Sequence, residues 1–348
     1  MTRPENASTA SKFRLDVAVD HWPLKQPFVI TGHRFDKSPI VTATISDGVH
    51  SGRGEASGIY YKGDTPDRII ATIERVRSRI EAGLTRTDLQ SVLPPGGARN
   101  ALDCALWDLE AAISGQPAWA LAGLETARPL LTTWTIGAAA ADVMAATALD
   151  YGDARAIKLK LLGDAADGAR VRAVRDARPD VWLGVDANQG FTAETLDSLW
   201  PTLIDCGVEL VEQPFPIGSD ALLEGRDRSI PFAADESLQS LADLERVGGL
   251  YDVVNIKLDK CGGLTEGLAI AWQARDMGLK VMVGNMTGSS LGMAPALVLG
   301  QLCDIVDLDG PIFLSRDHVP GVNYLDGRIH IRQPLWGAVT TTAAVSAT

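Results

Sequence analysis

The sequence predicts an α/β protein, a (β/α)8 barrel preceded by a smaller α+β domain. From about residue 130 onward, strand patterns and helical patterns alternate eight times, at intervals of about 25 residues, which is typical of a parallel βα array. The first third instead places short strands before helices. A doubly wound sheet would also alternate, but no Gly-rich dinucleotide fingerprint accompanies these units, so the barrel is favoured.

The N-terminal third predicts an antiparallel sheet followed by helices. Alternating residues bounded by Gly and Asp turns predict strands over 13–19, 39–48 and 51–57. Apolar residues at i, i+3 and i+4 spacing predict helices over 67–82 and 101–113, the second ending at Gly115.

The rest of the chain predicts the barrel. Its eight strands are expected over 131–137, 156–161, 181–188, 208–214, 231–237, 253–260, 280–285 and 304–310. Helical patterns lie between them, for example over 168–178, 240–249 and 264–278. The segment after Pro311 predicts turns and a short strand returning toward the first domain.

Composition limits the class of partner. The net charge of −12 argues against nucleic acid or an anionic membrane as the main partner. The four cysteines form no CxxC pair, which indicates reduced, small apolar residues. The N-terminus has no apolar signal segment and no stretch is long enough to span a bilayer, so a cytoplasmic protein is expected.

Two lysines occupy one face of the second predicted barrel strand. Lys158 and Lys160 in AIKLKL are two residues apart, so their side chains point the same way. Lysines are common on the edge strand of a sheet, where they prevent pairing with other chains, and this would explain Lys158 and Lys160 without any function. A third lysine, Lys257, ends the sixth strand, which lies opposite the second on a ring of eight.

Three carboxylates end the strands between these lysines. Asp186, Glu212 and Asp235 lie on successive strands, and the carboxyl ends of parallel barrel strands meet at one face. Three converging carboxylates need a cation between them. Because no histidine lies on a predicted barrel strand, we expect Mg²⁺ first and Mn²⁺ second rather than zinc.

This arrangement suits proton transfer at a carbon held beside the metal. One lysine on each face would remove and return the proton, while the metal stabilises a carboxylate that becomes an enediolate. A lysine base must be neutral near pH 7, and the charge of Lys158, together with the metal, is expected to lower the pKa of Lys160.

Together these residues resemble the enolase superfamily, and within it the muconate-lactonizing-type subgroup. The motifs are the KxK of Lys158 and Lys160, VDAN at Asp186, EQP at Glu212, ADES at Asp235 and NIKLDKCGG at Lys257. KVMVGN lacks the seventh-strand histidine of the mandelate-racemase-type subgroup.

The resemblance implies a capping domain and a (β/α)7β barrel. It implies that Lys160 and Lys257 are the acid/base catalysts and that Lys158 is the electrostatic partner of Lys160. The expected domains are a capping domain at 1–125, the barrel at 126–315 and a returning C-terminal segment at 316–348.

The motif DLDGP at the end of the eighth strand is similar to the DxD of dipeptide epimerases. There Asp307 and Asp309 would receive the α-ammonium of the substrate, although an Asp-Gly-Pro turn is the simpler alternative. The implied reaction is epimerisation of the C-terminal residue of a dipeptide, foremost L-Ala-L-Glu to L-Ala-D-Glu in peptidoglycan recycling.

Other functions stay open at this point. A muconate cycloisomerase, or an o-succinylbenzoate synthase/N-acylamino acid racemase, would use the same lysines without an ammonium site. A non-catalytic metal-binding protein is a further alternative.

Substrate selectivity is expected from the loops at 30–38 and 57–65, where Arg34, Lys37 or Lys62 would meet a glutamate side chain unless they are solvated surface charges. Lys158 and Asn285 are further candidate substrate contacts, and Asn188 and Lys260 are candidate supports of the metal ligands. A homo-oligomer is expected.

Overall fold

The computed structural model describes residues 11–331 and 335–337. The N-terminal part begins with an antiparallel three-stranded sheet in the order β1–β2–β3. Its strands are β1 (Arg14–Ile30), β2 (His33–Ser46) and β3 (Ser51–Ala56). The predicted antiparallel sheet is therefore present.

Helices pack on one face of this sheet. Thr65 caps the first of them by accepting the amide of Arg68, and Pro66 supplies a preset first turn. Its buried residues recur at helical spacing and join the core that the sheet and the longest helix build. The helices are α1 (Pro66–Glu81), α2 (Arg86–Val92), α3 (Gly97–Ser114) and α4 (Ala118–Leu121).

Eight parallel strands form the second part, in strict sequence order from β5 to β12. The short strand β4 (Leu130–Leu131) precedes them. The strands are β5 (Thr133–Ile136), β6 (Ala156–Lys160), β7 (Trp182–Asp186), β8 (Leu210–Glu212), β9 (Phe232–Ala234), β10 (Val253–Lys257), β11 (Lys280–Gly284) and β12 (Ile305–Val306).

Helices follow the strands and cover the sheet from outside. They are α5 (Ala141–Asp150), α6 (Asp167–Ala177), α7 (Ala193–Asp205), α8 (Leu244–Gly248), α9 (Leu258–Cys261), α10 (Leu264–Asp276), α11 (Ser290–Gly300) and α12 (Gly310–Phe313). None of the described helices is long and apolar enough to cross a membrane.

The two ends of the parallel sheet meet through threonine side chains. The Thr132 hydroxyl accepts the Leu308 amide at 2.8 Å, and the Thr133 hydroxyl donates to Asp307. The predicted modified barrel with a capping domain is confirmed in this near-closed form.

The C-terminal segment contacts both parts of the molecule. Strand β13 (Asn323–Leu325) pairs with β14 (Arg328–His330), and β14 pairs with β4 at the entry to the barrel. Beyond them, the Trp336 indole donates to the Arg53 carbonyl oxygen at 2.9 Å, on the capping sheet.

The hairpin of β1 and β2 is longer than the sequence patterns predict. It continues through residues 20–38, with a register shift between Pro23 and Phe28 that interrupts the alternation. Its tip reaches the barrel, where the Thr31 hydroxyl lies 3.0 Å from the Leu161 carbonyl oxygen and 3.1 Å from that of Ala187. The hairpin therefore forms part of the roof over the strand ends.

A buried carboxylate fastens the capping sheet to the barrel. Glu55 on β3 accepts the Ser289 amide at 2.7 Å and also contacts the Ser289 hydroxyl, just before α11. Burial raises the pKa of Glu55 to about 7, although these hydrogen bonds oppose the shift. Glu55 thus takes up a proton near neutral pH in the folded protein.

Glu55→Gln is expected to remove part of the pH dependence of stability. Because the pKa of Glu55 in the folded state exceeds its usual value, the native protein binds the extra proton, and stability from this group falls as pH rises from 5 to 8. The free energy of unfolding of the variant, relative to wild type, is expected to rise by about 2 kcal/mol over that range. Urea unfolding at pH 5, 6, 7 and 8 measures it.

The exposed Glu224→Gln serves as the control and is expected to give a difference that does not change with pH. A pH-independent difference for Glu55→Gln would contradict the assignment.

Candidate active site

The register of the parallel strands brings the predicted site residues to one level. Lys160 on β6 is paired with Asp186 on β7, and Asp186 is paired with Glu212 on β8. Asp235 follows β9 directly, and Lys257 ends β10. Side chains of the strand ends therefore converge at the mouth of the barrel.

Three of these residues form a group with the geometry of a cation site. Ligand oxygens of Asp186, Glu212 and Asp235 all lie within 4.8 Å of one another, and the three residues are buried. Oxygens on opposite sides of an octahedral Mg²⁺ are about 4.2 Å apart, so small adjustments would seat such an ion. The all-oxygen donor set also fits a hard divalent cation.

Lysine ammonium groups contact each carboxylate of this group. Lys160 Nζ lies 2.5 Å from Asp186 Oδ2, and Lys257 Nζ lies 2.7 Å from Asp235 Oδ2. Burial lowers the pKa of Lys257, but the charges of Asp235 and Glu212 outweigh it and hold that pKa well above its usual value. The two predicted acid/base lysines therefore both reach the acidic group, from strands 2 and 6.

Lys158 is buried and contacts carboxylates of the site directly. Its Nζ is 3.0 Å from Glu212 Oε2 and also contacts Asp307. Burial lowers the pKa of Lys158, and the charges of Asp307, Glu212 and Asp186 raise it well above its usual value. Much of its positive charge is thus compensated locally, and its influence on Lys160 stays a prediction.

Lys260 and Asn255 each form a hydrogen bond with one carboxylate of the acidic group. Lys260 Nζ contacts Asp235 Oδ1 at 2.5 Å, where the sequence predicted a supporting residue. Asn255 Nδ2 donates to Glu212 Oε1 at 2.7 Å. Burial, reinforced by the charge of Asp186, raises the pKa of Glu212 to about 7. Sequence reasoning missed Asn255, although its position two residues before Lys257 on one strand face could have indicated it.

The aspartates of DLDGP lie side by side at the end of the eighth strand but have different partners. Lys158 is paired with Asp307 and lowers its pKa against the effect of burial. Asp309 accepts the Thr135 amide at 2.6 Å, and within the described ranges it makes no ion pair. Burial and the charge of Asp307 raise the pKa of Asp309 to about 6.

A cavity of about 320 Å³ lies between the strand ends and the capping domain. Lys160, Lys257 and Asp235 form its floor, and Asn285 lines one side. The Asn285 side chain donates to the Asp307 carbonyl oxygen at 2.6 Å. The remaining walls come largely from apolar and aromatic residues of the capping domain, namely Leu24, Phe28, Ile30, Phe35, Tyr60 and Tyr61.

The three basic residues considered for selectivity lie in different places. Lys37 lines the cavity. Arg34 is exposed, lies 3.5 Å from Asp36, and is not among the residues that line the cavity. Lys62 lines a separate groove beside α1. The structure therefore leaves Lys37 as the basic residue of the hairpin that faces the cavity.

Glu236 is a further titratable residue of the cavity that the sequence reasoning left out of the site. It is buried, lines the cavity and accepts the Asn188 side chain at 3.4 Å. Burial, with the charges of Asp235 and Asp186, raises the pKa of Glu236 to about 8. The backbone amide of Asn188 also donates to Asp186 Oδ1 at 2.8 Å, so Asn188 connects the carboxylates of Glu236 and Asp186.

The barrel and the strand-end charges define a protein of the enolase type. The chain belongs to the mandelate racemase/muconate lactonizing enzyme family: residues 138–332 match the enolase C-terminal domain-like family, and residues 12–123 match the N-terminal domain of mandelate racemase and muconate lactonizing enzyme.

Similar proteins include several dipeptide epimerases. The L-Ala-D/L-Glu epimerase of Escherichia coli is 40% identical over 89% of this chain and 97% of its own. A crystal structure of an enolase family member from Agrobacterium tumefaciens, with bound sodium and L-Ala-L-Glu, has 40% identity and a TM-score of 0.91, covering 93% of this chain and 100% of its own. The dipeptide epimerase of Methylococcus capsulatus, complexed with Mg and L-Arg-D-Lys, has 30% identity and a TM-score of 0.84, covering 92% and 96%.

Glu212→Gln is expected to abolish tight Mg²⁺ binding, because a neutral amide replaces one of three converging carboxylates. Replacement of outer partners of metal ligands already weakens affinity by about 10–100-fold, so we expect a loss of more than about 100-fold. Isothermal titration calorimetry with MgCl₂ measures it. Asp197→Asn, an exposed substitution on α7, is the control and should leave affinity unchanged; wild-type affinity in Glu212→Gln would exclude the site.

Proposed function

We propose that the protein is a Mg²⁺-dependent dipeptide epimerase that inverts the α-carbon of the C-terminal residue, with L-Ala-L-Glu and L-Ala-D-Glu as the preferred pair. The observation that carries the proposal is the pairing of Lys160 with Asp186 and of Lys257 with Asp235, on opposite sides of one cavity floor. Mn²⁺ is the second candidate ion. A cytoplasmic homo-oligomer remains our expectation.

Asp186, Glu212 and Asp235 would hold the cation. When bound, it would offset the carboxylate charges that raise the pKa of Lys257 and would stabilise negative charge on the substrate carboxylate. Lys260 and Asn255 keep two of the ligands oriented through their hydrogen bonds to Asp235 and Glu212.

The two lysines divide the proton transfer between the faces of the substrate. A neutral Lys160 or Lys257 takes the α-proton on one face, and the ammonium of the other lysine delivers a proton to the opposite face. Strands 2 and 6 of an eight-strand ring stand across from each other, so the α-carbon would lie between the two Nζ atoms. Inversion at the α-carbon then requires no reorientation of the substrate in the site.

The substrate ammonium would bind at Asp309 and Asp307. Asp309 is buried, and no ion pair to it is found within residues 11–331 and 335–337, whereas Asp307 already pairs with Lys158. Burial and the charge of Asp307 raise the pKa of Asp309, and an ammonium beside Asp309 would supply the countercharge that lowers it. We propose that Lys158 separates this end of the substrate from the carboxylate end. This requirement disfavours an N-acylamino acid racemase, whose substrate has no ammonium.

Exchange in D₂O tests the two-lysine assignment. With L-Ala-L-Glu and Mg²⁺, deuterium is expected at the glutamate α-carbon of both epimers. Lys160→Ala and Lys257→Ala are each expected to reduce epimerisation by about 10²–10⁴-fold, since each removes a general acid/base. One variant or both would retain exchange from a single epimer. Mass spectrometry and chiral chromatography provide the readout.

N-acetyl-L-glutamate is the matched control substrate, and the wild-type enzyme is expected to process it far more slowly than L-Ala-L-Glu. No deuterium uptake by any dipeptide would refute the proposed function. Full epimerase activity in either lysine variant would refute the assignment of two bases.

Lys37→Met is expected to reduce the preference for a C-terminal glutamate. Lys37 is the basic residue of the hairpin that lines the cavity, and a hydrogen bond between charged groups contributes about 1.5–3 kcal/mol. The ratio of kcat/KM for L-Ala-L-Glu to that for L-Ala-L-Leu should therefore fall by about 10–100-fold. Arg34→Met, on the exposed side of the hairpin, should leave the ratio unchanged. A larger fall in Arg34→Met would assign the role to Arg34.

A further inference from the structure

Residues 57–65, here called the lid loop, carry two tyrosines into the cavity. Tyr60 and Tyr61 both line it, and their rings meet edge to face with centroids 5.1 Å apart. The Tyr61 hydroxyl accepts the Gln239 side-chain amide at 2.8 Å. The position of the lid loop therefore sets one wall of the cavity.

The lid loop is fastened at its first two residues by one barrel carboxylate. The amides of Ser57 and Gly58 both donate to Asp259 Oδ1, each at 3.0 Å. These are consecutive backbone donors on a single oxygen, and such charge-assisted hydrogen bonds are the stronger kind. The Ser57 hydroxyl adds a bond of 3.0 Å to the Thr287 carbonyl oxygen.

The position of Asp259 connects the lid loop to the proposed chemistry. It lies two residues after Lys257, in the short helix α9 that follows β10 without a connecting loop. Within the part of the chain that the structure describes, no lysine, arginine or histidine forms an ion pair with Asp259; the neighbouring Lys260 is turned to Asp235. The hydrogen-bond partners found for its carboxylate are the two lid amides and the Asn100 side chain on α3, all of them in the capping domain.

We propose that Asp259 is a positioning residue that holds the lid loop closed over the cavity and ties it to the backbone segment carrying Lys257. It touches no reacting atom. Loss of its carboxylate frees the start of the loop, so that Tyr60 and Tyr61 spend part of the time away from the cavity. The apparent affinity for substrate then falls by the fraction of molecules in which the lid is closed.

Limited trypsin digestion of the whole protein tests this directly, because Lys62 is an exposed residue within the lid loop. Cleavage at the Lys62–Gly63 bond requires the loop to open, so its rate reports the open population. We expect Asp259→Ala to be cut there at least about 10-fold faster than wild type. Asp259→Asn, which keeps an oxygen acceptor, should fall in between.

Two further readouts separate positioning from a general loss of structure. The KM of Asp259→Ala for L-Ala-L-Glu is expected to rise by about 10-fold or more, with a smaller change in kcat. Mg²⁺ and dipeptide together should restore protection of Lys62–Gly63, which a misfolded barrel would not allow. Asp67→Ala, an exposed acidic residue on α1, is the control and should cleave at the wild-type rate.

Wild-type cleavage rate and KM in Asp259→Ala would overturn the proposal. If Asp259→Ala does not fold, Asp259→Asn decides, since wild-type protection and KM in that variant would contradict the intermediate behaviour that loss of the carboxylate charge predicts. The KM measurement rests on the proposed function, whereas the rate of trypsin cleavage at Lys62–Gly63 does not. If no dipeptide is turned over, but the wild-type protein is cleaved slowly and Asp259→Ala is cleaved fast, the proposed function is rejected. The role of Asp259 in holding the lid loop is then retained.

Discussion

The structure depends on the burial of many charges at the mouth of the barrel. Leaving one of them without a partner would cost several kcal/mol, so each must be placed by the strand that carries it. The parallel register does this, because it aligns Lys160, Asp186 and Glu212 on neighbouring strands. The buried charged residues of this group are Lys158, Lys160, Lys257, Lys260, Asp186, Glu212, Asp235, Glu236, Asp307 and Asp309.

The capping domain follows from the same constraint. Charges at an open strand end would be hydrated, and their interactions would weaken. Hydrogen bonds that involve backbone atoms help to hold the cap over them: the Thr31 hydroxyl donates to the Leu161 carbonyl oxygen, and the Ser57 amide donates to the Asp259 carboxylate. A bond such as that of the Ser57 amide uses a backbone atom of the roof and leaves its side chain free to vary. Under the proposed function, the barrel would therefore keep one set of proton-transferring residues, while the cap would determine which substrate reaches them.

The fold and the floor of the site could be predicted from the sequence because both follow short-range rules. A strand side chain alternates with period 2, and carboxyl ends of parallel strands share a face, so Lys158, Lys160 and Asp186 were placed by spacing alone. The roof could not be placed in this way. The hairpin bulge near Pro23 interrupts the alternation, and whether Arg34 or Lys37 faces inward depends on the register beyond it. Similarly, the proposed role of Asp259 depends on contacts with Ser57 and Gly58, which lie 202 and 201 positions earlier in the chain.

The two aspartates of the eighth strand show how the proposed substrate would be oriented by its charges. Asp307 is neutralised by Lys158, which also contacts Glu212 and so links the acidic group to the ammonium end. Asp309 makes no ion pair within the described residues, and in the proposed complex a dipeptide ammonium would complement its negative charge. A molecule anchored at the carboxylate end by the cation site and at the ammonium end by Asp309 has little freedom to rotate. Its α-carbon would then stay between Lys160 and Lys257, so that a single bound pose would serve both directions of the proposed reaction.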